Sequence, residues 1–187
     1  MAALLVISSG CKESEVFELL ETIKPVRGRM ELAATRRNGA SVYVDYAHTP
    51  DAIEVALKSI KPHILGKLIV IVGAGGERDE GKRPLMGLAA EKNSDFVIIT
   101  DDNPRNEDPQ LIHQMIKNGI KDKNKVMVIG DRAEAILKAV DLLGMGDCLL
   151  IAGKGHETEQ FIGENIFPFD DFEQASLSVS SLDGIER

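Results

Sequence analysis

Tryptophan is absent from the 187 residues, and only 2 tyrosines and 6 phenylalanines stand in for it. Side-chain platforms on which bases stack are correspondingly scarce. Basic residues are the minority, 22 against 30 acidic ones, for a net charge of -8. A nucleic-acid surface needs a clustered basic face, so that class of partner is disfavoured. Cys11 and Cys148 are the only cysteines; with neither a CxxC pair nor a dense framework, they read as two ordinary thiols in a reducing compartment. No HxxxH, HExxH or cysteine–histidine spacing supports a zinc site, and no metal ligand is assigned. No apolar stretch is long enough to cross a bilayer. Ala2 to Ile7 is apolar but lacks the basic flank and full-length core of a signal peptide. These absences lead to the expectation of a soluble cytoplasmic protein, monomeric, working on small molecules without nucleic acid or membrane insertion.

What is present suits one compact domain with a real core, since 43% of the residues are hydrophobic and 28% charged. The chain opens oddly. Ala2 to Ile7 is apolar on every face and gives way at once to Ser8-Ser9-Gly10, as a helix cut from something larger would. Glu13 to Ile23 places Val16, Phe17, Leu19, Leu20 and Ile23 at amphipathic helical spacing, and Pro25 ends it. Pro25 to Arg29 reads as a linker, which divides the chain into residues 1–24 and a domain over 25–187.

Met30 to Arg36 and Ser41 to Tyr46 flank Asn38-Gly39, a two-residue hairpin signal. Thr49 as N-cap, Pro50 and Asp51 mark a helix start, with Pro62 closing the helix. Strands and helices then alternate: strand Lys67 to Val72, helix Pro84 to Lys92, strand Phe96 to Thr100, and a helix from Pro109 capped by Asp108. Strand Val126 to Ile129, a helix capped by Asp131 and running to Leu143, and strand Cys148 to Ala152 follow. That alternation predicts a Rossmann-like α/β fold, a mostly parallel sheet with helices on both faces. Thr158 to Ile162 and Ile166 to Phe169 form a candidate hairpin, and Asp170-Asp171 opens a last helix. The tail from Ser178 to Arg187, poor in apolar residues, is expected to fray.

Four polar loops fall at the ends of predicted strands: Asp45 to Asp51, Gly73 to Arg83, Asp101 to Arg105, and Gly153 to Glu157. In a parallel sheet they open on the same edge, where ligands bind. Gly76 to Arg83, GERDEGKR, departs from the phosphate-loop pattern GxxxxGK[ST] at Arg83, where a hydroxyl should bind magnesium. Its three acids would also oppose a triphosphate, so the better reading presents Arg78 to a carboxylate. Asp101-Asp102-Asn103-Pro104-Arg105 combines acids, an amide and an arginine beside a rigid proline, which suits a ligand carrying both ammonium and carboxylate. The plain alternative is a helix-start turn in which the acids cap nearby N–H groups and Arg105 pairs with Glu107 or Asp108. His48 reads equally as a catalyst or a local hydrogen-bonding group, Glu157 as an ammonium holder or a partner of Lys154, and His63 and His113 as structural or solvated.

Taken together these stretches resemble the Mur ligases. The resemblance rests on Gly28-Arg29-Met30-Glu31, Asp45-Tyr46-Ala47-His48-Thr49-Pro50-Asp51, Gly75-Gly76-Glu77-Arg78-Asp79 through Gly87, Asp102-Asn103-Pro104-Arg105, and Gly153-Lys154-Gly155-His156-Glu157. It covers Pro25 to about Ala175. Within that family Asp-Asn-Pro-Arg is the recognition motif for meso-2,6-diaminopimelate. The resemblance therefore implies an ATP-dependent ligase of peptidoglycan synthesis that adds diaminopimelate to UDP-N-acetylmuramoyl-L-alanyl-D-glutamate. It implies an acceptor site of Arg78, Asp102, Asn103, Pro104, Arg105, Gly153 and Glu157, the two acids and Asn103 accepting from the ammonium. It places Arg29, Asp45 and His48 against ATP. The family reaction uses ATP and Mg2+ to form an acyl phosphate that the acceptor amine attacks. No intact phosphate loop is present, so Ala2 to Ile23 is expected to be the end of the family's central ATPase domain and the chain to be a C-terminal fragment, inactive alone. A related ligase adding lysine or glutamate, and a non-catalytic amino-acid-binding module, are the alternatives.

Overall fold

The computed structural model describes residues 2–20 and 22–184. Its centre is a six-stranded sheet. The strands are β1 (Glu31–Thr35), β2 (Ser41–Asp45), β3 (Leu68–Val72), β4 (Phe96–Ile99), β5 (Val126–Val128) and β6 (Cys148–Ala152). Their spatial order is β1-β2-β6-β3-β4-β5, with only the β1–β2 pair antiparallel. α3 (Pro50–Ile60), α4 (Lys82–Asn93) and α5 (Pro109–Asn118) make the first three crossovers, and α6 (Arg132–Asp141) makes the fourth.

The order explains the layers. From β2 to β5 each crossover steps the same way along the sheet, whereas α6 carries the chain back to insert β6 between β2 and β3. Crossovers are right-handed, so reversing the direction puts the helix on the other face. One core accordingly joins Ile53, Leu57, Met86, Ala90, Ile112 and Ile116 to Leu68, Val70, Val72 and Leu150. The other joins Ala135, Ile136, Ala139 and Val140, with Ala175 and Val179 of α7 (Asp171–Asp183), to Ile69, Ile71, Leu149 and Ile151. Alternate residues of one strand thus serve opposite faces. β3 and β6, covered on both sides, are buried throughout, as continuous apolar runs in parallel sheets are.

Several sequence expectations change here. The β1–β2 connection is a three-residue loop: Arg36 N bonds Ala40 O and Gly39 N bonds Arg36 O. Only Gly39 carries a positive φ, 85°; Asn38 instead accepts from Ala40 N and donates to Leu143 O, so the chain closes with a bulge rather than a two-residue turn. The last helix does not fray at Ser178. Ser178 and Val179 are buried, and Asp183 receives Arg36 Nη2 and Arg37 N, each at 2.7 Å. Small side chains, not apolar bulk, let α7 approach β1, where Ser176 Oγ bonds Ala33 O. The expected terminus at 185–187 lies outside the described residues.

α1 (Ala2–Ser8) buries nothing and α2 (Glu13–Leu20) buries only Val16, leaving Leu4, Leu5, Phe17 and Leu19 exposed. The expected extension of α2 to Ile23 crosses Glu21, outside the described residues; Thr22 is a turn. The expected small hairpin is present as β7 (Glu159–Ile162) and β8 (Asn165–Pro168). Among the described residues no helix is long and apolar enough to cross a membrane.

Candidate functional site

The predicted loops do converge. Tyr46 and His48 after β2, Gly73 to Gly75 with Arg78 and Lys82 after β3, Asp102, Asn103 and Arg105 after β4, and Gly153 with Glu157 after β6 line one cavity of about 300 Å³. It lies over the carboxyl ends of β6 and β3, the neighbours at which the winding changes direction. A crevice opens at such a point because the two chains leave the sheet toward opposite faces.

Asp102 is only 8% exposed, yet its carboxylate accepts no hydrogen bond from the described residues and lines the cavity. Gly153 makes room for it: φ is 117°, and a Cβ there would sit 2.6 Å from Asp102 Oδ2. Glu157 Oε2 receives Asn103 Nδ2 at 3.0 Å and the fully buried Lys154 Nζ at 3.2 Å. Its second oxygen remains for a ligand. So Glu157 does pair with Lys154 and still faces the cavity, combining the two readings of the sequence.

Asn103 departs from expectation. Its Oδ1 accepts from Lys154 Nζ at 3.0 Å and Phe161 N at 3.1 Å, which fixes the amide orientation and fills both lone pairs. What Asn103 keeps for a ligand is one N–H, suited to a carboxylate rather than an ammonium. Arg105 holds a left-handed backbone, φ 52°, and places Nη1 2.8 Å from Gly76 O. It does not pair with its helix-start neighbours, because Glu107 takes Arg83 and Asp108 caps α5. Pro104 does not line the cavity; its carbonyl accepts Glu107 N and abuts Gly76, where a Cβ would meet it at 1.9 Å. Its part is to shape the loop.

Residues 28–155 match the Mur ligase, glutamate ligase domain. The chain belongs to the Mur ligase family. It is 47% identical to the UDP-N-acetylmuramoyl-L-alanyl-D-glutamate–2,6-diaminopimelate ligase of Bradyrhizobium diazoefficiens over 181 residues, 97% of this chain and 36% of that protein. The ligase of the same name from Coxiella burnetii is 49% identical over 160 residues, 86% of this chain and 32% of that protein. A solved structure of a ligase with that name superposes with a TM-score of 0.79 at 36% identity, covering 97% of this chain and 37% of that one. The matched region therefore spans only about a third of the length of these relatives.

In this Mur ligase domain Arg29 and His48 gather around Tyr46. The guanidinium lies 4.8 Å from the ring centroid, and the His48 ring meets it edge-on at 4.6 Å with Nδ1 2.8 Å from Tyr46 O. Asp45 sits behind them, buried, its Oδ2 accepting Met30 N at 2.8 Å. The exposed cation and aromatic edge suit a phosphate-bearing nucleotide, whereas Asp45 is committed to the backbone. For a metal the residues do not fit: among those described, no three His, Cys, Asp or Glu side chains converge.

Sequence reading missed the clamp behind the cavity. Arg83, fully buried, grips Glu107 through Nη1 at 2.9 Å and Nη2 at 3.0 Å, and Glu107 also receives the Glu77 amide. The Arg83 hydrogen bond, with the Glu77 N–H, holds Glu107 below the usual carboxylate range. The arginine that spoils a phosphate loop thus ties the glycine-rich loop to the Asp102 loop. His113 is buried with Nε2 2.7 Å from Asp101 Oδ1, a close contact without hydrogen-bond alignment. Nothing in the spacing of Arg83 and Glu107 announces their pairing, which exists only once β3 and β4 lie side by side.

Proposed function

We propose that the chain is the acceptor-binding C-terminal domain of an ATP-dependent ligase that joins meso-2,6-diaminopimelate to UDP-N-acetylmuramoyl-L-alanyl-D-glutamate. One observation carries the reading: the cavity sets two carboxylates, Asp102 and one oxygen of Glu157, beside two guanidinium groups, Arg78 and Arg105. That is the complement of a zwitterion. The distal ammonium of diaminopimelate would sit between Asp102 and Glu157, and the distal carboxylate would take Arg105, Arg78 and the remaining Asn103 N–H. The other amine is then left to act as nucleophile. Lysine has no distal carboxylate, so it would leave the arginines unmatched. The names of the relatives support diaminopimelate over lysine or glutamate.

ATP would activate the dipeptide carboxylate, and Arg29, Tyr46 and His48 form the edge of this domain that would face it. Magnesium would be held outside these residues. We assign residues 25–187 to the domain and 1–24 to the end of a preceding ATPase domain, in keeping with the unburied faces of α1 and α2. The acceptor cavity is half-built by loops, and shielding the activated carboxylate from water requires the two domains to close.

Titrating the isotope-labelled chain with meso-diaminopimelate and, separately, L-lysine tests the reading through backbone amide shifts. Shifts at Arg78, Asp102 to Arg105 and Gly153 to Glu157 are expected with diaminopimelate alone. Equal shifts with lysine would point to a related ligase, and the absence of shifts with either would remove the acceptor assignment from this chain.

A further inference from the structure

Past Asp101, whose N–H still bonds Gly130 O, the Asp102 loop leaves the sheet, with Gly76 N on Asn103 O as its backbone tie on one side, yet on the proposed reading it presents two ligand groups in fixed positions. β7 supplies the ties on the other side. Gln160 Nε2 donates to Asp102 O at 2.9 Å, Phe161 N donates to Asn103 Oδ1 at 3.1 Å, Arg105 N donates to Phe161 O at 3.0 Å, and Gly163 N donates to Arg105 O at 2.7 Å. The last two form a parallel bridge between Arg105 and Ile162. Asp102, Asn103 and Arg105 are each hydrogen-bonded to β7 or to Gly163 just beyond it, while the Pro104 carbonyl takes Glu107 N. β8 on the far side is exposed along its length, so the hairpin rests on the body chiefly through this edge.

Gln160 is the one buried side chain of β7, 7% exposed. It reaches a carbonyl that lies beyond the end of β4 and has no backbone donor. We propose that Gln160 is a positioning residue for acceptor selection: acting through β7, it sets where the Asp102 carboxylate and the Arg105 guanidinium stand in the cavity. The inference rests on the reading of the cavity as the diaminopimelate site. Its physical basis is that Arg105 occupies a backbone conformation other than its preferred one, φ 52°, and a strained residue keeps that conformation only while its surroundings over-determine it. Removing the Gln160 hydrogen bond leaves the Asp102 carbonyl unmatched in a buried place and frees β7 to shift against the loop.

The test uses Gln160→Met, which keeps length and removes the donor, and Gln160→Glu, which keeps shape and sets an acceptor against the carbonyl. In the ligand-free chain, hydrogen exchange at the Arg105 and Gly163 amides should rise about tenfold in both variants, the factor a lost hydrogen bond commands, while core amides such as Ile98 and Leu150 stay protected. Calorimetry with meso-diaminopimelate should show affinity about tenfold weaker, with the thermal midpoint lowered by only about 2–4 °C, the scale of one lost hydrogen bond. Unchanged exchange at Arg105 and Gly163 would overturn the positioning role whatever the ligand does. Local loosening with diaminopimelate affinity unaltered would overturn the link to acceptor selection and leave the cavity reading intact. A wild-type chain that does not bind diaminopimelate would instead overturn the cavity reading, and the selection role with it.

Discussion

Single side chains in this domain divide into those held for a ligand and those spent on the fold. On the proposed reading of the cavity, Arg105 belongs to the first group. One guanidinium nitrogen is anchored on Gly76 O, which aims the rest of the fork into the cavity without neutralising it. Arg105→Ala is expected to weaken meso-diaminopimelate binding by about 2–3 kcal/mol, the scale of a charge-assisted pair, and to leave L-lysine binding unchanged. Titration calorimetry with both amino acids measures this, and an equal loss for the two would show that Arg105 does not read the distal carboxylate. Cys148 belongs to the second group. Burial, helped by the neighbouring Asp147 charge, pushes its thiol up to about 12. Iodoacetamide at pH 8 should therefore alkylate exposed Cys11 and spare Cys148 until the chain unfolds. Mass spectrometry that finds both labelled at equal rates in native protein would contradict the packing of β6.

At the scale of elements, the Arg132–Asp171 pair joins the first turns of α6 and α7. Arg132 makes a two-pronged contact, Nε to Oδ1 at 2.7 Å and Nη2 to Oδ2 at 2.8 Å, and also reaches Asp101 O and Ala152 O. It is thereby bolted to the ends of β4 and β6 just below the cavity. Burial disfavours its charge, but Asp171 outweighs that, and the guanidinium is held more firmly protonated than usual. Asp171→Ala, which leaves a buried charge unpaired, should cost about 3–5 kcal/mol in urea unfolding, whereas replacing both residues with apolar ones of similar size should cost far less. Equal losses for the single and double variants would mean that lost packing, not the stranded charge, sets the penalty. Neither partner was legible in the sequence, since nothing local relates residue 132 to residue 171. The strands, the Thr49, Asp108, Asp131 and Asp170 caps and the convergence of four loops were legible, because each follows from a short-range rule. The bulged β1–β2 loop, the saturation of Asn103 Oδ1 and the β7 splint were not, because they depend on partners between 51 and 105 residues away.

Across the whole molecule, carboxylates with lowered pKa tie down segments on every side of the sheet. Arg83 and the Glu77 amide lower Glu107, and the Asp122 and Lys121 amides lower Glu91 against a smaller opposing effect of burial. Asp95 is desolvated, but the Leu68 amide and Lys61 outweigh that and lower it. Arg36 and the Arg37 amide lower Asp183. A carboxylate whose folded pKa lies below its unfolded value stabilises the fold fully above the unfolded value, and that contribution is lost as the pH falls through the folded one. Stability should thus be nearly flat from pH 7 down to about 5 and fall steeply below about 4, where the unfolded chain starts to bind protons that the native one refuses. Urea midpoints at a series of pH values read the profile directly. Asp183→Asn should lower the midpoint at pH 7 and make the acid decline shallower, because the variant has already lost what protonation would take away. A decline of unchanged steepness in that variant, and in Glu107→Gln, would place the acid sensitivity elsewhere than in these ties. If the acid decline does follow them, loosening of the Glu107 clamp should also release the glycine-rich loop, so acceptor affinity should fall over the same pH range as stability.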